Sequence, residues 1–151
     1  LCAVAKNAHC ANKLQGNIEK VYYAAAEGLI DEKGTIDAPI ARQQESIITR
    51  CVRADGQSAV THYERVYYND RFSFAEIHLE TGRTHQIRVH MAYMGHPVIG
   101  DPVYGNPKHS LGLRGQCLFA EYISFTHPIT GEIMSFGAEL PDFFKDVLRR
   151  I

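Results

Sequence analysis

Residues 47–80 hold three β-forming runs, 47–53, 57–68 and 71–80, cut apart by Ala54-Asp55-Gly56 and by Asn69-Asp70. Such turn sequences fold a chain back on itself, so runs this close together can pair only antiparallel. The spacing predicts an antiparallel meander at the centre of the fold. In its third run Phe72 and Phe74 share one parity, while Ile77 and Leu79 share the other. A strand covered on both faces, or a bulge near Ala75-Glu76, accounts for that change of phase. Residues 116–125 and 132–136 read as strands on either side of the turn His127-Pro128-Ile129-Thr130-Gly131, and 20–27 as a strand followed by a loop over 28–34.

Helical patterns appear in three places. Asn7 can cap a short helix running to about Gln15, with Gly16 to end it. Over 84–94, Ile87, Met91 and Met94 fall at i, i+4 and i+7, and Gly95 followed by Pro97 supplies a stop. Pro141 opens a last helix with Phe143, Phe144, Val147, Leu148 and Ile151 as its buried stripe and Lys145, Arg149 and Arg150 solvated. The apolar run Leu1-Cys2-Ala3-Val4-Ala5 reads as the end of a buried strand whose beginning is missing. The expected fold class is α+β, a mixed, mainly antiparallel sheet with a few flanking helices. No repeat, low-complexity segment or linker divides 1–151, so one domain is expected.

A chain of 151 residues that is 45% hydrophobic and 22% charged falls in the globular range, which argues against disorder. No apolar run approaches the roughly twenty residues that span a bilayer, so a soluble cytoplasmic monomer is expected, with no membrane partner. Cys2, Cys10, Cys51 and Cys117 form no C-x-x-C pair and read as buried thiols in a reducing compartment. A net charge of -1 argues against a general nucleic-acid coat but leaves room for a local patch.

Such a patch is visible. Arg83, His85, Arg88, His90 and His96 crowd together while the acids are scattered. Gly82 followed by Arg83-Thr84-His85-Gln86 at a helix start offers amides, a guanidinium and a carboxamide to an anionic or heteroaromatic ligand. The competing reading is that Arg83 and Arg88 pair with nearby acids and His85 is a surface residue. No H-E-x-x-H or H-x-x-x-H pair occurs, and His85 and His90 do not share a helical line, so no metal is expected.

Taken together, Leu79-x-Thr81-Gly82-Arg83-Thr84-His85-Gln86-Ile87-Arg88-Val89-His90, Gly95-His96-Pro97 and Gly100-Asp101-x-x-Tyr104-Gly105 resemble the signature of the RluA-type pseudouridine synthases. Val4-Ala5-Lys6-Asn7 resembles the stretch after that family's catalytic motif, and Lys20-x-Tyr22-x-Ala24 its second motif. The resemblance runs from Leu1 through Phe119-Ala120. It implies a pseudouridine synthase fold and an isomerase that converts uridine to pseudouridine in structured RNA, ribosomal or transfer, with no cofactor. The C1'–N1 bond breaks, the uracil turns, and C5 takes the place of N1, on a base drawn out of its stack.

The resemblance also assigns roles. Tyr22 would lie against the flipped uracil and handle the C5 proton. Arg88 would pair with the catalytic aspartate and hold it ionised. Ile87 would belong to the apolar wall against the base, and Arg83, His85, Gln86 and His90 would contact the RNA backbone or brace the loop. Asp101 would fix a turn. The family's aspartate stands in a motif reading roughly His-Arg-Leu-Asp-x-x-Thr-Ser-Gly, which these residues do not contain. It is expected just upstream of Leu1, so the chain reads as a catalytic domain cut after its catalytic loop and inactive by itself. Two other readings stay open: a non-catalytic RNA-binding module that keeps the pocket, and a small-ligand binder using the Arg-rich helix start.

Overall fold

A computed structural model describes residues 1–14, 16–44, 46–109 and 111–150. Its elements in chain order are α1 (Ala8–Leu14), β1 (Ile18–Glu27), β2 (Lys33–Asp37), β3 (Ile40–Arg42), β4 (Arg50–Val52), β5 (Val60–Tyr68), β6 (Phe72–Leu79), α2 (Gln86–Tyr93), β7 (Leu118–Thr126), β8 (Ile133–Gly137) and α3 (Asp142–Arg150). Six strands form one sheet in the order β2-β5-β6-β1-β7-β8, and β3 and β4 make a separate two-stranded ribbon. Every pairing is antiparallel, within the α+β class expected.

β1 is central because its second half is small. Ala24, Ala25 and Ala26 are each 0% exposed. Their methyl groups let neighbouring backbone close in: the Ala25 carbonyl accepts from Ile99 N at 2.8 Å, and Glu27 N donates to the Pro97 carbonyl at 2.9 Å. Strand register then sorts the two faces. Tyr22 stands opposite Ile77 and Ala24 opposite Ala75, so these four share a face, and Thr61 and Tyr63 of β5, opposite Leu79 and Ile77, extend it. α2 packs on that side, its Gln86 and His90 both reaching Thr61. The reverse face stacks Tyr23 on Phe74 with centroids 5.2 Å apart, and Phe144 of α3 meets Phe74 edge-on at 5.7 Å.

The phase change in β6 is burial on both faces, since Phe72, Ser73, Phe74, Ala75 and Ile77 are all buried. The bulge lies one strand away, at Val66 of β5 opposite Phe74 and Ala75. The meander is half right. β5 and β6 form the hairpin, but β4 pairs with β3, and the other neighbour of β5 is β2, in part of what reads as a loop over 28–34. Lys33-Gly34-Thr35-Ile36-Asp37 buries only Ile36, too little apolar alternation to announce a strand. Gly34 leaves room there for Tyr63, since a Cβ would stand 2.6 Å from its hydroxyl and push that side chain aside.

Residues 1–5 are not a strand: Leu1 and Val4 are exposed, and the segment lines an apolar cleft with Ile123, Phe125 and Met134. Without a strand partner the run cannot be buried as expected. Asn7 does cap α1, its Oδ1 accepting from Cys10 N at 2.9 Å; Gln15, the expected end, lies outside the described residues. α3 buries Phe144 and Val147 but exposes Phe143, which falls off the narrow stripe, and Ile151 is not among the described residues. Cys10 and Cys117 are buried, Cys51 is half-buried, and Cys2, on the exposed opening segment, is not buried. Among the described residues no helix is long and apolar enough to cross a membrane.

Candidate active site

α2 departs from the amphipathic helix that its spacing predicts. Its first six residues, from Gln86 to Met91, are all buried, so the polar side chains among them must find partners inside the protein. Gln86, 2% exposed, spends every hydrogen-bonding group it has. Its Oε1 accepts from the Thr81 hydroxyl at 2.8 Å and Arg83 N at 2.9 Å, while Nε2 donates to the Val60 carbonyl at 2.9 Å and Thr61 Oγ1 at 3.0 Å. His90 is 0% exposed and sits between Thr61 Oγ1 and the Ala38 carbonyl, each 2.9 Å away. Only a donating Nε2 suits that carbonyl, leaving Nδ1 to accept from the threonine. Burial also lowers the His90 pKa, in keeping with a neutral ring. Of the two roles expected for Gln86 and His90, the geometry is that of bracing: neither reaches the surface. Ile87, 4% exposed, is part of the main core.

Arg88 pairs with an acid of this chain, Asp101, as the competing reading expects of it, and not with the catalytic aspartate that the resemblance assigns to it. Its Nε donates to Asp101 Oδ2 at 2.6 Å and its Nη2 to Oδ1 at 2.7 Å, a bidentate pair with the Asp101 side chain fully buried. Asp101 does fix a turn, Oδ1 also accepting from the amides of Val103 at 2.9 Å and Tyr104 at 3.1 Å. Burial pushes its carboxyl up, but the Arg88 guanidinium and those two amides outweigh burial and hold it below the usual carboxylate range. A guanidinium carries five N–H groups, and Asp101 takes two. Nη1 has no partner among the described residues, and because no sealed side-chain nitrogen or oxygen there lacks one, Nη1 keeps a small contact with solvent although the residue as a whole is buried.

The helix starts at Gln86 because His85 adopts left-handed backbone, φ 58° and ψ 18°, a conformation that costs a non-glycine residue about 1 kcal/mol or more. Tyr104 supports it there. The Tyr104 hydroxyl accepts from Arg50 N at 2.8 Å and lies in hydrogen-bond contact with His85 Nδ1 at 3.0 Å. The His85 pKa is lowered by burial and then by Arg88 and Arg50, against the opposite pull of Asp101. The Arg88 guanidinium lies over the Tyr104 ring, 5.0 Å from its centroid. Gly105 closes the turn: a Cβ there would come within 2.6 Å of the Asp101 carbonyl oxygen. Gly105→Ala is therefore expected to cost about 1–3 kcal/mol of stability, read as a lower urea midpoint in the full-length protein, because backbone cannot yield as a side-chain tip can; an unchanged midpoint would contradict the packing.

Tyr22 and Tyr23 are adjacent and unlike. The Tyr23 hydroxyl donates to Glu76 at 3.0 Å and its pKa is pushed up to about 12, by burial first and then by that carboxylate. Tyr22, on the α2 side of the sheet, is half-buried with its pKa raised by burial, and its hydroxyl has no protein partner among the described residues. Arg83 is exposed, with Nε donating to the Ser58 carbonyl at 2.9 Å. Among the described residues no three His, Cys, Asp or Glu side chains gather as metal ligands would.

Against known proteins, the family model described as RNA pseudouridylate synthase matches residues 1–93. The chain belongs to this family. Its relatives among pseudouridine synthases include the uncharacterized RNA pseudouridine synthase YjbO of Bacillus subtilis, 45% identical over 89% of this chain and 47% of its own length. The ribosomal large subunit pseudouridine synthase D of Haemophilus influenzae is 37% identical over 100% of this chain and 52% of its own. The chain thus spans about half the length of these curated relatives. Among solved structures, human RNA pseudouridylate synthase domain containing 1 superposes with a TM-score of 0.74 at 28% identity, covering 91% of this chain and 63% of that one.

In this member of the family two of the RluA-type motif segments form one assembly. The Thr81 to His90 run and the Gly100 to Gly105 run meet through Arg88 with Asp101 and through His85 with Tyr104. Sequence reasoning missed Tyr104 and Arg50 as members of it. Tyr104 stood in a quoted motif without a partner, and no local spacing relates it to a histidine nineteen positions earlier.

Proposed function

We propose that these residues belong to a protein that isomerises uridine to pseudouridine in structured RNA, with large-subunit ribosomal RNA favoured by the names of relatives. The observation that carries the reading is the divided guanidinium of Arg88: one edge locked by buried Asp101, the other without a partner among the described residues. A cation so fixed is suited to a second carboxylate, lowering its pKa and orienting it. The candidate for that carboxylate is the nucleophilic aspartate that the RluA-type resemblance implies, in a motif these residues do not contain. Tyr22 supports the reading too, offering a ring for a flipped uracil and an uncommitted hydroxyl for the proton leaving C5. The reaction conserves atoms: C1' exchanges its bond to N1 for one to C5, C5 loses a proton, and N1 gains one.

The test is release of tritium from RNA labelled at uridine C5, with the full-length protein and separate ribosomal and transfer RNA substrates. Release of one tritium per target uridine is expected, from ribosomal RNA. Binding without release from either RNA would overturn the enzyme reading in favour of a non-catalytic RNA-binding module. Tyr22→Phe keeps the ring and removes the hydroxyl, so release should slow by about 10²-fold at saturating RNA; an undiminished rate would remove the phenol from proton handling.

A further inference from the structure

The β3–β4 ribbon stands beside the start of α2, tied to it by the Tyr104 hydroxyl that accepts from Arg50 N and meets His85. Between them runs an open polar groove of about 330 Å³ lined by Arg42, Arg50, Asp55, Gln57 and Arg83. Its charge is lopsided. Asp55 is paired with Arg53, whereas Arg42, Arg50 and Arg83 have no carboxylate partner among the described residues, Glu45 lying outside them. Among the described residues the Arg50 side chain donates only to the carbonyls of Ile47, Ile48 and Thr49, and that of Arg83 only to the carbonyl of Ser58. Arg42 and Arg50 are also directly opposite in the ribbon. Like charges facing each other across a strand pair repel, and an anion between them relieves this.

We propose that this groove seats the RNA sugar-phosphate backbone beside the target nucleotide, with Arg42, Arg50 and Arg83 neutralising successive phosphates. The inference rests on the RNA reading above and goes beyond it by assigning the ribbon, to which neither the motifs nor the family match gives a role. The groove is polar and without an aromatic lining, so it holds backbone and not bases, and carries no sequence preference.

The experiment measures RNA affinity of the full-length protein between roughly 50 and 200 mM salt. Arg42→Gln and Arg83→Gln should each make the log–log salt slope shallower by about 1, and the double variant by about 2. The loss should be equal for substrate RNA and an unrelated RNA of the same length. Arg42 is exposed and its side chain makes no hydrogen bond among the described residues, so its replacement does not threaten the fold. Arg149→Gln, on α3, should leave the slope alone. Wild-type slopes in both the Arg42 and Arg83 variants would overturn the proposal. Tritium release by the wild-type protein separates this from the underlying reading: an active enzyme with unaltered slopes sinks the groove alone, whereas an inactive protein with shallower variant slopes sinks the enzyme and keeps the groove.

Discussion

Arg88→Lys in the full-length protein is expected to slow uridine isomerisation by about 10³-fold, the scale on which loss of one preorganised charged donor acts, while RNA affinity stays within about twofold. Asp101 is met by two parallel N–H groups, at 2.6 and 2.7 Å, and this leaves the far edge of the same plane for a second carboxylate. An ammonium is a compact point charge with no second edge at a fixed angle. A lysine would settle on the buried Asp101 and leave the proposed nucleophile unheld. Single-turnover tritium release together with equilibrium binding reads the split directly. A rate near wild type would show that charge alone suffices at position 88, and the role given to the planar fork would fall.

Asp101→Ala is expected to lower the unfolding free energy by about 3–5 kcal/mol, the range for stripping one partner from a buried ion pair. The guanidinium of Arg88, its side chain only 10% exposed, would be left with its inner edge uncompensated, and the amides of Val103 and Tyr104 would lose their acceptor. Urea unfolding of the full-length protein measures it. The pair also gives stability a pH dependence. The folded carboxyl titrates below its unfolded value of about 3.9. Above that value both states are ionised and the full contribution is present. As the pH falls below it, the unfolded state binds a proton first, and stability drains away until the folded carboxyl is protonated as well. In Asp101→Ala this acid-side loss should be missing, and an unchanged acid limb would show that another carboxylate is responsible.

Much of the fold is legible locally. Asn7 as a cap, the hairpin turn at Asn69, Pro141 ahead of a helix and the strand from Lys20 onward are written in a few adjacent residues, because caps and turns are satisfied by neighbours within three or four positions. β2 escapes such reading because an edge strand with one buried residue owes its existence to the strand it joins. The ribbon escapes for a related reason: β4 chooses between β3 and β5 through packing of Ile40, Ala59 and Val89, which are far apart in sequence. At the site, the helix start at 84 is moved to 86 by a left-handed residue, and the amphipathic stripe becomes a helix buried all round over its first six residues.

What the sequence determined by itself is the family and the chemistry in hand: a dense set of donors in an order specific enough to name the RluA-type synthases, with Arg88 and Tyr22 marked within it. Tertiary structure alone decided how those donors divide. Burial turned Gln86 and His90 inward to hold the loop, gave Arg88 a partner from a turn thirteen residues away, and set an arginine ribbon beside the helix start. The physical reason is that a side chain's type states which bonds it can make, whereas water's exclusion, which forces each bond to be made, depends on segments that meet only when the sheet has closed.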